Sequence, residues 1–345
     1  MMRSQSSDNV TLKDVANAAG VSLATASRAI NGSPDRQVRP DLRMRVLETA
    51  ARLHYQPNAQ AQAMARGWTD VIGLVVHDIA DPYFSSILSG VMQGAESHGL
   101  LVTVASTGRS ATKELQHVAS FRGQRARAVI LAGSRFDDSE AIEGLHAEIA
   151  QLERAGGRAA FLSQHLLPID TVVVENRASA QSLARQLVEL GYKRFAVLAG
   201  PDRLMTSKDR AEGFMDGLLA VGAGPPVAVA KADFSRDGGY DGMVEILASP
   251  DRPDLVFAVN DVMAVGAMAA TRDQGLTVPQ DVAVAGFDDI VTLRDVTPPL
   301  TTVRLPLVDL GRYLVEMVLQ PREDAPRVRR VRGEVIIRES TPPIR

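Results

Sequence analysis

The chain contains no cysteine, and its 345 residues include only one tryptophan, five tyrosines and nine phenylalanines. The absence of cysteine excludes disulfide bonds and thiol chemistry, which suits a cytoplasmic protein. No apolar run approaches the roughly 18 residues of a membrane span. The polar residues 1–9 lack the apolar core of a signal peptide and predict a disordered tail. We therefore expect a cytoplasmic protein that does not act on membranes.

Motifs typical of enzymes are also missing. The sequence has no P-loop, no HExxH, no glycine-rich dinucleotide turn and no nucleophile elbow. Its six histidines are scattered without the spacing of metal ligands. The sequence therefore favours a binding protein over an enzyme, and we expect no metal ion and no cofactor.

The small net charge of −3 conceals an uneven distribution. Residues 1–68 contain nine Arg/Lys and five Asp/Glu, a balance of +4, whereas the remainder contains 29 and 36, a balance of −7. A basic head on an acidic body is consistent with nucleic-acid binding by the head.

Two short helical patterns flank Gly20 within residues 10–32. Thr11, with Asp14 three residues later, is a candidate N-cap of the first pattern, and Ser22 is a candidate N-cap of the second. Glycine at position 20 permits a tight turn at positive φ. The pattern fits a helix-turn-helix, whose second helix enters the major groove of DNA, and equally an ordinary helical hairpin in a small bundle.

The next two elements are a third helix beginning near Pro40 and a linker, residues 57–69. In the linker, Pro57 can begin a helix and Gly67 can end it. The helix would have only about nine residues, fewer than the ~12–15 at which an isolated helix is marginal in water. We therefore expect it to fold only when it docks on another surface.

From residue 70 onward, apolar strand patterns alternate with helical patterns. This alternation predicts parallel sheets joined by right-handed crossovers, arranged as two similar α/β subdomains. The predicted fold is an all-α helix-turn-helix head followed by an α/β body of two parallel-sheet subdomains. The expected boundaries are 10–56 for the head, 57–69 for the hinge helix and linker, and 70–345 for the body; within the body, the N-subdomain takes about 70–168 and 299–325, and the C-subdomain about 169–298 and 326–345.

Short motifs occur through the chain in a fixed order. Those of the head and linker are Thr11-Leu-Lys-Asp-Val-Ala16, Ala19-Gly-Val-Ser22, Ala24-Thr-Ala-Ser-Arg28, Ile30-Asn-Gly32 and Tyr55-Gln-Pro-Asn58. Those of the body are Ile72-Gly-Leu-Val75, Asp81-Pro-Tyr-Phe84, Asn260-Asp-Val-Met-Ala-Val-Gly266, Val278-Pro-Gln-Asp-Val282, Gly286-Phe-Asp-Asp289 and Pro299-Leu-Thr-Thr302. Together they resemble the lactose/galactose-repressor (LacI/GalR) family, a resemblance that favours the helix-turn-helix over the plain hairpin.

The resemblance implies a sequence-specific regulator, most simply a repressor, whose second helix reads operator DNA. The implied base-reading residues are Leu23, Ala24 and Arg28; the implied phosphate contacts are Ser22, Thr25, Ser27 and Asn31. Arginine can donate two hydrogen bonds to guanine, whereas leucine and alanine make only apolar contacts. Leu23 and Ala24 also fit simple exposed surface, and Ser22 also fits a pure cap.

In this family the hinge helix folds in the minor groove at the operator centre, where Ala61 and Met64 would lie. Met64 stands where the family usually has a leucine that wedges between bases. Two heads on a pseudo-palindromic operator imply a homodimer. The expected location is bacterial cytoplasm, in association with the nucleoid.

The body also resembles periplasmic sugar-binding proteins, which bind ligands between two subdomains at the carboxyl ends of strands. The implied effector-binding residues are Asp81, Tyr83, Phe84, Ser134, Arg135, Arg210, Phe234, Asn260 and Asp288. Such residues suit a monosaccharide or related polyol, and a purine or nucleoside would use similar groups. Asp261, by contrast, is expected only to cap a helix.

A periplasmic-type sugar receptor is a further alternative, although it leaves the helix-turn-helix pattern unexplained. Population shift is the expected mechanism of regulation, with the effector changing how the body presents the hinge helices to DNA. The sequence leaves open whether the effector releases the protein from DNA or promotes binding.

Overall fold

The computed structural model of the chain describes residues 10–31, 38–56, 63–64 and 66–344. The chain divides into two compact units, Met1–Thr69 and Asp70–Arg345. The tail predicted to be disordered, residues 1–9, lies outside the described residues. No helix in the described ranges is long and apolar enough to cross a membrane.

The first unit contains three helices, α1 (Leu12–Ala18), α2 (Leu23–Asn31) and α3 (Pro40–Arg52). Thr11 and Asp14 form the predicted capping box at the start of α1: the Asp14 carboxylate accepts the Thr11 N–H (2.9 Å), and the Thr11 hydroxyl accepts the Asp14 N–H (3.4 Å). Gly20 has φ +64° and makes the predicted turn. The small core that these helices share is formed by Val15, Ala16, Ala19, Ala26, Ala29, Val46 and Ala50.

The second unit, together with the adjoining Thr69, alternates strands and helices, as predicted. Its strands are β1 (Thr69–Val76), β2 (Leu101–Ser106), β3 (Ala126–Ala132), β4 (Arg158–Leu162), β5 (Asp170–Val174), β6 (Phe195–Ala199), β7 (Ala228–Lys231), β8 (Leu255–Ala258), β9 (Ala283–Ala285), β10 (Thr302–Arg304), β11 (Val328–Val331) and β12 (Glu334–Ile336). Its helices are α4 (Pro82–Glu96), α5 (Ala111–Gly123), α6 (Ser139–Arg154), α7 (Asn176–Glu189), α8 (Met205–Ala220), α9 (Arg236–Ala248), α10 (Asp261–Asp273) and α11 (Leu307–Leu319), with a 3-10 turn at Val291–Asp295.

These strands form two parallel sheets, which confirms the predicted fold class. The larger sheet has the order β11-β5-β4-β3-β1-β2 and the smaller has the order β7-β6-β8-β9. The antiparallel pair β10-β12 continues the smaller sheet, because Thr301 forms a parallel bridge with Ala285 of β9. Helices cover the sheets, so the central strands are almost wholly apolar.

The sheet order corrects the expected division between subdomains at three places. β5, expected in the second subdomain, pairs with β4 in the larger sheet, where Thr171 and Val172 are fully buried. β11 then pairs with β5, also in the larger sheet. Residues 301–304, expected in the first subdomain, lie instead beside the smaller sheet. The pairing of these strands determines where the chain crosses from one subdomain to the other. The alternation of strand and helix patterns in the sequence does not reveal that pairing.

Glycines allow close contact between α4 and α11. A Cβ atom added at Gly90 would lie 1.9 Å from the carbonyl oxygen of Val308. One added at Gly311 would lie 2.3 Å from the carbonyl oxygen of Ile87. The two backbones therefore touch at positions where only glycine fits.

Gly90→Ala is therefore expected to lower the free energy of unfolding by about 2–3 kcal/mol, because the methyl group must push two backbones apart. Gly123, also helical, has no atom within 4 Å of an added Cβ. Gly123→Ala is expected to be neutral or to stabilise by about 0.5 kcal/mol, since alanine loses less backbone entropy on folding. Urea unfolding of both variants measures the difference, and equal effects would contradict the close contact.

Candidate functional site

The start of α2 in the head is fixed by a side-chain cap. The Ser22 hydroxyl accepts the Thr25 N–H at 3.1 Å and lies 2.8 Å from the Thr25 hydroxyl. Ser22 therefore caps α2, as predicted. The two hydroxyls lie together at the positive end of a helix dipole, a position that suits an anion such as a DNA phosphate.

Burial separates α2 into two faces. Ala26 and Ala29 are buried in the head core, whereas Leu23 is 52% exposed and Ala24 is exposed. Arg28 is half-buried and forms no ion pair with any residue that the structure describes. Ala24 and Arg28 share a helical face at i and i+4. All three predicted base-reading residues therefore lie on the side of α2 that faces away from the head core.

The end of α2 is tied to the hinge segment. The Asn31 amide donates to the Ser27 hydroxyl at 3.3 Å, and the Asn31 carbonyl accepts a hydrogen bond from Arg66 at 3.0 Å. Met64 is helical and 76% exposed, whereas its neighbour Ala63 is buried. Gly67 follows at φ +93°. The predicted wedge residue Met64 thus points its apolar side chain into solvent, while Ala61 lies outside the described residues.

In the body, a cavity that is partly open to solvent lies at the carboxyl ends of strands. Ligands of open α/β sheets bind at this edge, so its position suits a small organic ligand. The cavity gathers eight of the nine predicted effector-binding residues: Asp81, Tyr83, Phe84, Ser134, Arg210, Phe234, Asn260 and Asp288. It is also lined by residues outside the nine predicted effector-binding residues: His77, Arg109, Gly133, Leu162, Ser163, Gln164, Val174, Asn176, Leu204 and Thr206.

A buried ion pair between Arg210 and Asp288 forms one wall. The guanidinium donates from Nη2 to Oδ1 at 2.7 Å and from Nη1 to Oδ2 at 3.2 Å. Its Nε donates to Asn176 Oδ1 at 2.8 Å, and its Cζ lies 3.9 Å from the centre of the Phe287 ring. Arg210 and Asp288 are 2% and 4% exposed, so water screens neither charge.

The backbone and the electrostatics of Asp288 are both unusual. Its φ is +121°, a conformation that L-residues rarely adopt and that is often found at functional sites. Burial raises the pKa of Asp288 to about 7, and the charge of Arg210 opposes that rise. The fork of hydrogen bonds from Arg210 favours the ionised carboxylate, which can accept further hydrogen bonds from a ligand hydroxyl.

Aromatic rings and a helix start also line the cavity. Asp81 caps α4 by accepting the Tyr83 N–H at 2.9 Å, and burial raises the pKa of the Asp81 carboxyl. The rings of Tyr83 and Phe84 meet edge to face at 5.0 Å between centres. Phe234 lines the cavity from the segment before α9. Apolar ring faces beside polar groups suit ligands that have both kinds of surface.

Asn260, rather than Asp261, caps α10. Asn260 Oδ1 accepts the Met263 N–H at 2.8 Å. Asp261 instead accepts the Thr302 hydroxyl at 2.6 Å and the Ile290 N–H at 3.0 Å, and burial raises its pKa to about 6. The expected cap was therefore wrong by one residue, because Asp261 is turned inward to join α10 to two later segments.

Arg135 differs from the other predicted effector residues, because it does not line the cavity. Its guanidinium forks onto Glu114 with two hydrogen bonds of 2.8 Å, and its Nε donates to Ser163. The adjacent Ser134 faces the cavity and accepts the Thr206 N–H at 2.9 Å. Arg135 is therefore paired with Glu114 and supports Ser163 of the cavity lining.

His77 is a cavity residue that the sequence did not reveal. It is 5% exposed and packs against the rings of Phe84 and Phe136, at 5.8 and 6.0 Å between centres. Burial, followed by the charges of Arg135 and Arg109, lowers its pKa to about 3. His77 is therefore a neutral imidazole at physiological pH, able to donate and accept hydrogen bonds.

Acid should destabilise the protein through His77. The unfolded chain protonates this histidine below about pH 6.5, whereas the folded chain resists until about pH 3. Stability is therefore lost as pH falls through this window, by about 3 kcal/mol between pH 7 and pH 4. The His77→Gln variant should lack this component, whereas the exposed His98→Gln should retain it. Parallel pH profiles of wild type and His77→Gln would contradict the prediction.

Two sequence profiles match the chain. One, described as bacterial regulatory proteins of the lacI family, covers residues 11–58; the other, a periplasmic binding protein-like domain, covers residues 184–341. The HTH-type transcriptional regulator GalS of Salmonella typhimurium is 33% identical over 315 residues, which are 90% of this chain and 89% of that protein. The HTH-type transcriptional repressor CytR of Escherichia coli K12 is 33% identical over 335 residues, 96% of each chain.

Structural similarity extends over the same length. A lac repressor dimer bound to operator and the anti-inducer ONPF has a TM-score of 0.82 and 27% identity, with 97% of this chain and 99% of that chain covered. These relatives are transcriptional regulators and not enzymes. Since both the head and the body match such proteins along nearly their full length, the chain belongs to the LacI family of bacterial transcriptional regulators.

Proposed function

We propose that this regulator is a repressor that binds a pseudo-palindromic operator as a homodimer in the bacterial cytoplasm. Its operator affinity would change when a monosaccharide or related polyol enters the body cavity. The observation that supports this most strongly is the pairing of the buried Arg210–Asp288 fork with aromatic rings in one cavity. The carboxylate of the pair can accept hydrogen bonds from ligand hydroxyls, and ring faces can cover the apolar face of a sugar.

The remaining cavity groups agree with a polyol. Asn260 uses its carbonyl oxygen to cap α10, which leaves its amino group to donate to a ligand. Asp81 uses one oxygen on the start of α4, so its second oxygen can accept. A ligand with several hydroxyls, each both donor and acceptor, can satisfy such a mixed set.

On the DNA side, the proposal gives Leu23, Ala24 and Arg28 the role of reading bases. Ser22, Thr25, Ser27 and Asn31 would contact phosphates, with Met64 in the minor groove at the operator centre. The exposed apolar side chain of Met64 supports its role, because a wedge must reach between base steps.

Selection of bound DNA sequences, followed by titration of the selected site, tests the function. We expect a palindromic site whose affinity falls about 10³-fold or more between 50 and 200 mM salt, as counterions are released from several phosphates. A monosaccharide should then change the operator Kd at least 10-fold. A response to nucleosides and none to sugars would refute the polyol assignment, and the absence of any preferred site would refute sequence-specific regulation.

A further inference from the structure

Arg109 differs from the other arginines near the body cavity. Arg210 is neutralised by Asp288, and Arg135, behind the wall, is neutralised by Glu114. Within the described part of the chain, no carboxylate oxygen lies within 4.0 Å of the Arg109 guanidinium nitrogens. Arg109 is therefore the arginine of the cavity lining whose positive charge has no ion-pair partner among those residues.

The position of Arg109 is fixed by contacts with both halves of the body. Its backbone has φ +63°, and its N–H donates to the hydroxyl of the buried Thr107 at 3.2 Å. Across the cavity, Nη2 donates to the Phe234 carbonyl at 2.9 Å, and Cζ lies 5.7 Å from the Phe234 ring centre. These contacts hold the guanidinium in place.

The Nε–H group of Arg109 is buried and has no hydrogen-bond partner among the described residues. A buried donor without an acceptor is costly, and it is more costly when it carries charge. Because Arg109 lines the cavity, a ligand oxygen is the natural acceptor. An anionic oxygen satisfies the hydrogen bond and neutralises the charge together, which a neutral hydroxyl cannot do.

The other described titratable groups near the cavity do not form an ion pair with Arg109. His77, beside Arg109, stays neutral because burial and the arginine charges lower its pKa. The remaining cavity carboxylate, Asp81, is half-buried; burial raises its pKa, and the charges of Arg109 and Arg210 oppose that rise. Because no carboxylate oxygen of the described residues lies within ion-pair distance of Arg109, a ligand anion would balance its charge.

We propose that the effector carries a carboxylate or a phosphate on its polyol frame and that Arg109 binds this anionic group through Nε. The inference rests on the proposed function, since it assumes a polyol effector in this cavity. It adds the class of that effector, a sugar acid or a sugar phosphate, and it makes Arg109 the residue that distinguishes this class from neutral sugars.

Calorimetry on the full chain provides the test. The probes are glucose, glucuronate and glucose 6-phosphate, with galactose, galacturonate and galactose 6-phosphate as a second series. We expect at least one anionic probe to bind 10-fold tighter than its neutral parent. Arg109→Gln should lower the affinity for that probe about 10- to 100-fold, whereas Arg109→Lys, which keeps the charge, should retain part of the preference.

Arg236→Gln is the matched control, because Arg236 is half-exposed near Phe234, pairs with Asp237 and does not line the cavity. It should leave the preference for the anion unchanged. The inference is overturned if no anionic probe surpasses its neutral parent, or if the preference survives in Arg109→Gln. A neutral sugar that shifts operator affinity would in that case leave the proposed function intact, whereas a response to nucleosides alone would overturn the proposed function itself.

Discussion

Arg210→Ala is expected to lower the free energy of unfolding by about 3–5 kcal/mol and to abolish the response to effector. The substitution leaves the buried Asp288 carboxylate without its counter-charge, and removing one partner of a buried ion pair costs this much. The carbonyl groups of Asn176 and Val259 lose their donor at the same time. Arg210 therefore stabilises the fold and prepares the site through the same contacts.

The loss of folding stability in Arg210→Ala should depend on pH in a defined direction. In the wild type, burial raises the pKa of Asp288 to about 7 against the opposing charge of Arg210. Without Arg210 that pKa must rise further, so the folded variant binds a proton that the unfolded chain releases above about pH 3.9. Stability of the variant therefore falls as pH rises, and its deficit should be smaller at pH 5 than at pH 8.

Arg177→Ala provides the comparison for a similar fork on the surface. Arg177 pairs with Glu212 and Asp216, each at 2.6 Å, but these side chains are one-third to one-half exposed. Water screens such pairs, and the expected loss is at most about 1 kcal/mol. Urea unfolding at two pH values measures both variants. Equal losses for Arg177→Ala and Arg210→Ala would show that burial of the Arg210 fork contributes nothing.

Eight of the eighteen residues that line the cavity could be predicted, because several of them lie in recognisable motifs at strand ends. Asp81, Asn260 and Asp288 each stand in such a motif. His77 directly follows β1 and Asn176 lies just beyond β5, so the rule that ligands bind at carboxyl ends of parallel strands could have found them. Arg109 lies three residues past β2, and only the structure reveals that its side chain reaches Phe234.

The sequence alone does not show which side chain a charged residue pairs with or which strand lies beside another. Arg135 lies just beyond the carboxyl end of β3, where ligand-binding residues are expected, yet its guanidinium pairs with Glu114 on α5. Whether Arg135 faces the cavity or pairs with Glu114 depends on how α5 packs against the sheet. The local sequence pattern does not encode that packing. The same holds for β5 and β11, since pairing between residues 157 positions apart, such as Thr171 and Val328, decides to which sheet each strand belongs.

Arg28→Ala is expected to lower the specificity of operator binding by about 1–3 kcal/mol for each half-site, the contribution of a bidentate contact to guanine. In the proposed homodimer the loss occurs twice, so the total is about 2–6 kcal/mol. The geometry of α2 explains why Arg28 is expected to contribute this much to specificity. Ala26 and Ala29 fix the inner face of the helix in the head core, which fixes the direction of Arg28 on the other face.

The measurement must separate base reading from the loss of a charge. Competition between the selected operator and random DNA gives the ratio of the two affinities, in which a uniform electrostatic loss cancels. Arg52→Ala, at the exposed end of α3, removes the same charge from the head. Arg52→Ala should leave the ratio nearly unchanged, whereas Arg28→Ala should reduce it. A similar ratio in both variants would make Arg28 a phosphate contact and would shift the reading of bases to Leu23 and Ala24.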